Sequence, residues 1–243
     1  MEYTVARDRD AADMAGFISL YQEAFGGPPY FEVYPRHRIR EEVWDIHLER
    51  GVIVLAKDDD SVVGFCCALP VGDAPDDVRE FLQDSQEILA DSDQMWYISE
   101  LGVALSHRGR KIAYAVTERC LFEANRLGGV YYVMRTAAKG SNSKHMFLRM
   151  GSTEIYEIQD VSAQTEKNHS QSAQRIWLYG NCSFALQNLK ALSASWPTTT
   201  GRHSDLEKGP LCRSITLNAL KYIYSTINCR FFSVKCHPLT VTI

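Results

Sequence analysis

The chain has 243 residues, of which 45% are hydrophobic and 23% are charged, and its formal net charge is −4 at pH 7. These fractions are typical of a globular protein and exclude collagen-like, coiled-coil and wholly disordered chains. The mild negative charge argues against a dedicated nucleic-acid binder, and no apolar run approaches the roughly 20 residues that a membrane-spanning helix needs. The charged N-terminal segment is unlike a signal peptide. We therefore expect a cytoplasmic protein without a nucleic-acid or membrane partner.

The predicted elements alternate between strand-like and helix-like patterns. In chain order, the first half predicts a strand (2–7), a helix from the Asp-rich turn at 7–13 to Gly26, an aromatic loop (30–34), a helix (37–50), a hairpin (52–71) and an acidic helix (73–94). The second half predicts a strand (95–105), a helix between Gly109 and Gly128, a strand (130–136), a short helix (143–151) and two strands (153–161 and 173–181) around a polar loop. This order predicts an α/β fold with a mixed sheet, because the hairpins are antiparallel and the strand–helix–strand unit should be parallel.

The charge is distributed unevenly along the chain. Residues 187–243 contain seven Lys or Arg and two acidic residues, a net charge of +5, which leaves 19 basic and 28 acidic residues, a net charge of −9, in residues 1–186. We therefore expect an acidic domain over residues 1–186 and a basic C-terminal extension of unknown structure over residues 187–243. The extension contains no recognised motif, and packing on the domain, poor order or a homodimer contact are all compatible with it.

The cysteines and histidines predict neither a disulfide framework nor a metal site. The seven cysteines are irregularly spaced and odd in number, without a Cys-x-x-Cys pair, and the histidines lack ligand spacing. Cys66 and Cys67 are adjacent in an apolar strand-like run, where neighbouring side chains point to opposite faces. Ordinary buried thiols are therefore favoured over catalytic ones.

The most informative segment is the turn between the strand that ends near Leu105 and the following helix. The first N–H groups of a helix have no internal partner and the helix dipole adds positive potential, so together they form a site for phosphate or diphosphate. Gly109 allows close approach of the backbone, and Arg108, Arg110 and Lys111 add positive charge. Neither a Walker loop nor a dinucleotide fingerprint is present. An ordinary basic helix cap would carry the same residues, so the turn alone does not decide between the two.

The segment Glu100-Leu101-Gly102-Val103, followed by residues 107–113, resembles motif A of the GNAT superfamily, the Gcn5-related N-acetyltransferases. In the signature Q/R-x-x-G-x-G/A, Arg108 and Ala113 match the two ends, and Lys111 stands at the central glycine. We expect a helical residue at this position to present its amide equally well. The resemblance covers the acidic domain and implies the GNAT fold, a mixed central sheet of six to seven strands flanked by helices, here with a C-terminal extension.

The resemblance implies an N-acetyltransferase that uses acetyl-CoA as co-substrate. The diphosphate would lie on the amides of the turn, and the pantetheine arm would run beside the preceding strand. The residues that the resemblance implies for this binding are Leu101, Gly102, Val103, Arg108, Gly109, Arg110, Lys111, Ile112, Ala113 and Asn142. The Val103 amide would polarise the thioester carbonyl. Glu100 matches the position of a general base that takes a proton from an ammonium group, and a salt-bridged or substrate-orienting Glu100 is the alternative.

A second landmark of the family is a tyrosine that protonates the departing thiolate. Phe147 stands where that tyrosine is expected, and a phenyl ring cannot donate a proton. Either another group serves, such as Ser143, Tyr156 or water, or the thiolate leaves unassisted, as its pKa of about 8.5 allows. We expect Phe147 to pack in the core and Lys144 to be a further candidate for contacting coenzyme A.

The negative charge of the acidic domain suggests a cationic acceptor, because a negative potential concentrates positively charged molecules. Tyr30, Phe31 and Tyr34, in the aromatic loop, are candidates to line its pocket. A polyamine, an aminoglycoside-like amine or a basic peptide would suit such a pocket. A solvated acidic helix over 73–94 would explain the same charge without any acceptor. Two other functions remain open: a GNAT-like module that binds coenzyme A or a partner without catalysis, and a nucleic-acid or membrane-surface binder that acts through the basic extension.

Overall fold

The computed structural model describes residues 1–8, 10–85, 88, 92–164 and 170–194. Its strands are β1 (Glu2–Val5), β2 (Val52–Asp58), β3 (Ser61–Pro70), β4 (Met95–Val103), β5 (Tyr131–Ala137), β6 (Thr153–Gln164) and β7 (Ser170–Asn181). They form one sheet in the order β1-β2-β3-β4-β5-β7-β6, in which β4 and β5 are parallel and the other neighbours are antiparallel. The predicted mixed α/β architecture is confirmed.

The helices are α1 (Ala11–Gly26), α2 (Arg36–Arg38), α3 (Asp45–Arg50), α4 (Asp76–Asp84), α5 (Ile112–Arg126), α6 (Asn142–Arg149) and α7 (Cys182–Ala194). A π-helical turn, Ile39–Trp44, joins α2 to α3, so the helix predicted over 37–50 is one helical stretch with a wider middle turn. Short 3₁₀ turns cover Val71–Asp73, Ser92–Gln94 and Leu105–His107. Among the helices of the described ranges, none is long and apolar enough to cross a membrane.

Helix α1 begins at a side-chain cap and packs one face on the sheet. The carboxylate of Asp10 accepts hydrogen bonds from the backbone N–H groups two and three residues further on, at 2.9 and 2.8 Å. On the buried face, the rings of Phe17 and Tyr21 lie 4.8 and 5.9 Å from the ring of Phe65 on β3. These contacts hold Tyr21 against the sheet beside β4.

Apolar side chains pack on both faces of the sheet, as the alternation along β4 requires. Trp96 and Ile98 join the larger cluster with α1, α5 and α7, whereas Met95 and Tyr97 join a smaller cluster under α4. The smaller cluster includes Trp177, on which Phe81 stacks at 4.8 Å. The described cysteines, Cys66, Cys67, Cys120 and Cys182, are all buried and unpaired.

The acidic segment forms a shorter helix than the one predicted over 73–94. Among the described residues of this segment, α4 alone is α-helical, and the backbone is already extended at Ser85, with φ −69° and ψ 126°. Val78 and Leu82 of α4 are buried and Phe81 stacks on Trp177, whereas the acidic residues of the segment repel one another and disfavour a longer helix. Residues 86, 87 and 89–91 of the predicted helix lie outside the described residues.

Strands β6 and β7 run further than predicted, and the polar loop between them is correspondingly shorter. Their antiparallel pairing continues to Gln164 opposite Ser170. A continuing partner strand supplies backbone hydrogen bonds to polar residues that have a low strand propensity of their own. Residues 165–169 of this loop lie outside the described residues.

Helix α7 crosses residue 186, where the change in charge led us to expect the end of the domain. Cys182, Ala185 and Leu189 of α7 are buried in the same core as α5. The described residues up to Ala194 belong to one compact unit. The remainder of the predicted extension, residues 195–243, lies outside the described residues.

Candidate active site

The candidate site lies where β4 and β5 diverge. Their parallel pairing ends with Ile98 opposite Met134. Beyond this point β4 continues to Val103 beside β3, and β5 continues to Ala137 beside β7. Two cavities open along the edge of β4 that faces the gap.

The larger cavity, of about 570 Å³, lies between the end of β4, the turn before α5 and the first turns of α6. Nine of the ten residues predicted to bind acetyl-CoA line it: Leu101, Gly102, Val103, Arg108, Gly109, Lys111, Ile112, Ala113 and Asn142. Arg110 is not among its lining residues, because its guanidinium reaches the carboxylate of Asp58 at 3.5 Å.

The turn before α5 has the geometry of an anion site. Gly109 has φ +78°, a left-handed conformation in which glycine meets no steric penalty. Helix α5 begins at Ile112 without a side-chain cap, so its first N–H groups have no partner inside the helix or from the capping residue. Because Ile112 and Ala113 line the larger cavity, these donors and the positive end of the helix dipole can face a phosphate group there.

The backbone at Lys111 corrects our expectation that a helical residue stands there. Lys111 has φ 64° and ψ 14°, which is the left-handed region. This conformation costs a residue other than glycine roughly 1–2 kcal/mol. The requirement explains the central glycine of the family signature, and Lys111 preserves the shape of the turn at a cost in stability.

The smaller cavity, of about 100 Å³, adjoins the first residues of β4 beyond its pairing with β5. Its wall includes four tyrosines and four charged residues, namely Tyr21, Tyr30, Tyr34, Tyr97, Glu32, Glu100, Arg135 and Arg175. Two of the three residues predicted to line an acceptor pocket, Tyr30 and Tyr34, therefore line this cavity. Phe31, the third, is 55% exposed and lines neither cavity.

Glu100, in the smaller cavity, has a pKa well above that of an ordinary glutamate. Burial raises the pKa of Glu100 to about 8, and this effect outweighs the opposing hydrogen bond from Tyr21 and the positive charge of Arg135. Its carboxyl group therefore exchanges a proton near neutral pH, which is the property a general acid or base requires.

A buried ion pair fixes the aromatic loop to β7. The guanidinium of Arg175 pairs with the carboxylate of Glu32, which also accepts a hydrogen bond from the hydroxyl of Tyr34. The same guanidinium lies 5.2 Å from the centre of the Tyr30 ring. Burial, reinforced by the charge of Glu32, raises the pKa of Tyr34, so this hydroxyl stays protonated. Neither Glu32 nor Arg175 is among the predicted site residues, although the position of Glu32 between two tyrosines is a signal that the sequence offers for it.

A chain of hydroxyl groups lies at the junction of the two cavities. The hydroxyl of Tyr30 is 3.0 Å from Thr136 Oγ1, which lies 2.6 Å from Ser141 Oγ and 3.0 Å from Ser143 Oγ. The two serine hydroxyls are 2.9 Å apart. Tyr30 and Ser143 line both cavities, so this chain can carry a proton from one to the other.

The other residues considered for proton donation and coenzyme binding lie elsewhere. Phe147 is fully buried, with its ring 6.0 Å from that of Tyr132, as the packing interpretation expected. Tyr156 is 89% exposed on β6 and lines neither cavity. The ammonium of Lys144 pairs with the carboxylate of Glu154 at 2.7 Å. Within the described ranges, no group of three or more His, Cys, Asp or Glu residues could hold a metal ion.

Comparison with solved structures places this geometry in a known fold. The ribosomal-protein-alanine N-acetyltransferase from Brucella melitensis superposes with a TM-score of 0.54 at 12% identity, over 73% of this chain and 99% of that one. The structure of yncA from Salmonella typhimurium, solved with its cofactor acetyl-CoA, gives 0.53 at 13% identity, over 75% and 95%. The aminoglycoside 6'-acetyltransferase type Ii gives 0.51 at 17% identity, over 75% and 97%.

The sequence itself provides the assignment to a family. None of the curated proteins compared with the chain matches it. The model of the acetyltransferase (GNAT) family matches residues 14–151, which include β4, the turn before α5 and all of α6. This match covers more than half of the chain and contains the residues that line the larger cavity. The chain is therefore a member of the GNAT acetyltransferase family.

Proposed function

We propose that this acetyltransferase moves an acetyl group from acetyl-CoA to a primary amine, with Glu100 as the general base. The proposal is based on one observation: two cavities of different chemical character adjoin each other at the end of β4. One contains the uncapped start of α5, a site for diphosphate. The other contains a carboxyl group whose pKa is about 8.

The larger cavity fits acetyl-CoA in its size and its donors. Its volume of about 570 Å³ lies within the range of roughly 300–1,000 Å³ for small-molecule sites. We assign the diphosphate to the amides of residues 108–113 and the pantetheine arm to the edge of β4 from Leu101 to Val103, with Asn142 on the opposite side. Acetyl-CoA supplies an activated acetyl group as a thioester, whose carbonyl oxygen the Val103 amide would polarise.

Glu100 is proposed to take a proton from the acceptor ammonium, so that the free amine can attack the thioester carbon. Amines are mostly protonated at neutral pH, with a pKa of about 10 for lysine-like groups. A carboxylate with a pKa of about 8 accepts such a proton far more readily than an ordinary glutamate does. At neutral pH Glu100 is a carboxylate for only part of the time, and its greater strength as a base compensates for this.

The hydroxyl chain at the junction is the proton source that we propose for the departing thiolate. Ser143 lines both cavities and is hydrogen-bonded to Thr136, which in turn contacts Tyr30. This chain supplies the O–H group that Phe147 lacks. It also offers a route by which the proton lost from the acylated nitrogen reaches the thiolate.

The size of the smaller cavity constrains the acceptor. A volume of about 100 Å³ is well below the range of roughly 300–1,000 Å³ for sites that hold a whole small molecule. We therefore propose an acceptor whose primary amine ends an unbranched chain, as in a polyamine or a peptide. The ring of an aminoglycoside-like amine would have to remain outside, with its amino group on a projecting arm.

The deciding experiment measures release of the coenzyme A thiol with a panel of polyamines, peptides and aminoglycosides, and identifies the product by mass. We expect thiol release with at least one primary amine and a product heavier than that amine by one acetyl group. The Glu100→Gln variant should have a kcat about 10²–10⁴-fold lower than that of the wild type. Saturable binding of coenzyme A without thiol release for any amine would instead favour the non-catalytic module.

A further inference from the structure

His47 and Ser99 form a hydrogen-bonded pair at the wall of the smaller cavity. His47, on α3, is 3% exposed, and its Nδ1 lies 2.6 Å from the carbonyl oxygen of Val43. Because a carbonyl oxygen only accepts, Nδ1 carries the hydrogen and donates. Burial lowers the pKa of His47 to about 4, which keeps the ring neutral at physiological pH. The other ring nitrogen, Nε2, is therefore a hydrogen-bond acceptor.

The hydroxyl of Ser99 donates to this acceptor. Ser99 Oγ lies 2.6 Å from His47 Nε2 and 3.4 Å from the carbonyl oxygen of Cys67. A serine hydroxyl has a single hydrogen, and the shorter contact takes it. The oxygen of Ser99 thus has only lone pairs to offer to a group in the smaller cavity, of which Ser99 is a lining residue. His47 converts a group that could donate or accept into one that accepts.

A bulge in β4 places Ser99 beside Glu100 on one side of the strand. Consecutive side chains of a regular strand point to opposite faces. Here Cys67 pairs with Glu100 and Ala68 pairs with Ile98, which leaves Ser99 without a partner on β3. Ser99 and Glu100 both line the smaller cavity as a result. Two neighbouring residues therefore present hydrogen-bond acceptors to the same space.

We propose that Ser99 binds the nitrogen of the acceptor amine and that His47 is the positioning residue that orients its hydroxyl, an inference that rests on the proposed acetyl transfer. Once a primary amine has bonded to the acetyl carbon, its nitrogen carries a positive charge and two hydrogens. One hydrogen leaves as a proton, and the other donates to Ser99 Oγ in a bond that strengthens as the charge develops. An N-methylated amine has one hydrogen at that stage and cannot do both. The pair therefore selects primary amines over their N-methyl derivatives.

The test compares an accepted primary amine with its N-methyl derivative, using full-length wild-type protein and Ser99→Ala. The ratio of their kcat/KM values should fall by at least about ten-fold in Ser99→Ala, the effect of losing one hydrogen bond to a charged group. Ser152→Ala is the matched control. It removes the hydroxyl of a buried serine that lies 2.6 Å from the Tyr132 hydroxyl and lines neither cavity, so the ratio should not change.

Two variants of His47 separate hydrogen-bond polarity from the space that a smaller side chain creates. His47→Leu leaves Ser99 in place but removes the nearer acceptor of its hydroxyl, which is then held only by the Cys67 carbonyl oxygen at 3.4 Å, so the ratio should fall, but by less than in Ser99→Ala. His47→Gln supplies an amide oxygen in place of Nε2 and should restore part of the ratio. Coenzyme A affinity and the unfolding midpoint establish that each variant is folded.

Two results would overturn the inference. A wild-type ratio in folded Ser99→Ala would mean that the serine does not touch the acceptor nitrogen and that the pair only joins α3 to β4. Failure of the wild-type protein to acetylate any primary amine would remove the proposed function, and this inference with it. The wild-type measurement distinguishes the two results.

Discussion

The carboxyl group of Glu100 links reactivity to stability within a single residue. Its pKa rises on folding from an ordinary value of 4.5 to about 8. A group that holds its proton more tightly in the folded state stabilises the fold fully below its unfolded pKa, and that contribution is lost as the pH rises through the folded pKa. The free energy of unfolding of the wild type should therefore fall between about pH 5 and pH 8 relative to that of Glu100→Gln. Denaturant unfolding of the two proteins across this range measures the difference.

A difference between the two proteins that stays constant up to about pH 9 would show that Glu100 titrates like an exposed glutamate. Glu49→Gln serves as the control, because the side chain of Glu49 is 70% exposed. This control measures the effect of the same substitution at a solvent-exposed position.

The hydroxyl of Ser143 is the single group on which the proposed protonation of the thiolate depends most directly. Ser143→Ala should lower kcat by about 10²-fold, at the lower end of the range for general acid catalysis, because the rest of the hydroxyl chain remains. It should also raise the pKa of the thiol of bound coenzyme A, because the thiolate loses a hydrogen-bond donor. Ultraviolet titration of the thiolate measures this pKa without any turnover.

Tyr156→Phe is the comparison for Ser143→Ala. The Tyr156 hydroxyl is another donor considered from the sequence, but the residue is 89% exposed and lines neither cavity. Its removal should change neither kcat nor the thiol pKa. An effect of Tyr156→Phe as large as that of Ser143→Ala would contradict the placement of the proton source at the junction.

At the scale of elements, motifs formed by neighbouring residues could be predicted from the sequence, whereas contacts between residues distant in the sequence could not. The N–H donors of the turn before α5 belong to residues that are neighbours in the sequence. Nine of the ten residues predicted to bind acetyl-CoA line the larger cavity. The ion pair of Glu32 with Arg175 joins positions 143 residues apart, and the bulge at Ser99 depends on the register against β3. Neither pattern is visible in local periodicity, because each follows from how strands pair after the chain has folded.

The turn before α5 also shows that an element can tolerate a residue its backbone does not favour. Lys111→Gly should raise the free energy of unfolding by up to about 1 kcal/mol, because relief of the left-handed strain exceeds the greater chain entropy of glycine. Lys111→Ala removes the same charge but keeps the Cβ, and it should give no such gain. Chemical denaturation of the three proteins distinguishes them, and a glycine variant less stable than the alanine variant would contradict the strain assignment.

At the scale of the whole molecule, the net charge of −9 in residues 1–186 does not describe the smaller cavity. Its wall contains two glutamates and two arginines, and Glu100 is largely protonated below its pKa of about 8. The acidic surface can raise the local concentration of cationic amines, as a long-range potential does. Selection at the reacting nitrogen must come from shape and hydrogen bonding, which the sequence composition does not reveal.

Burial, and not charge, determines where a folded unit ends. The change of charge marked residue 186, but a core ends where burial ends, and Leu189 of α7 is buried at 1% exposure. All residues that line the two cavities lie between Tyr21 and Arg175. A chain that ends at Trp196 should therefore keep the unfolding midpoint, coenzyme A affinity and acetyl transfer of the full-length protein.

A chain that ends at residue 186 should behave differently, because it cuts α7 in its first half and removes Leu189 from the core. Loss of one such leucine costs about 2–5 kcal/mol, even before the remaining turns of the helix fray. Thermal unfolding of the two truncated chains, side by side with the full-length protein, measures this cost. Equal midpoints for the chains ending at 186 and 196 would restore the boundary inferred from charge, whereas a lower midpoint at 186 alone makes α7 part of the catalytic domain.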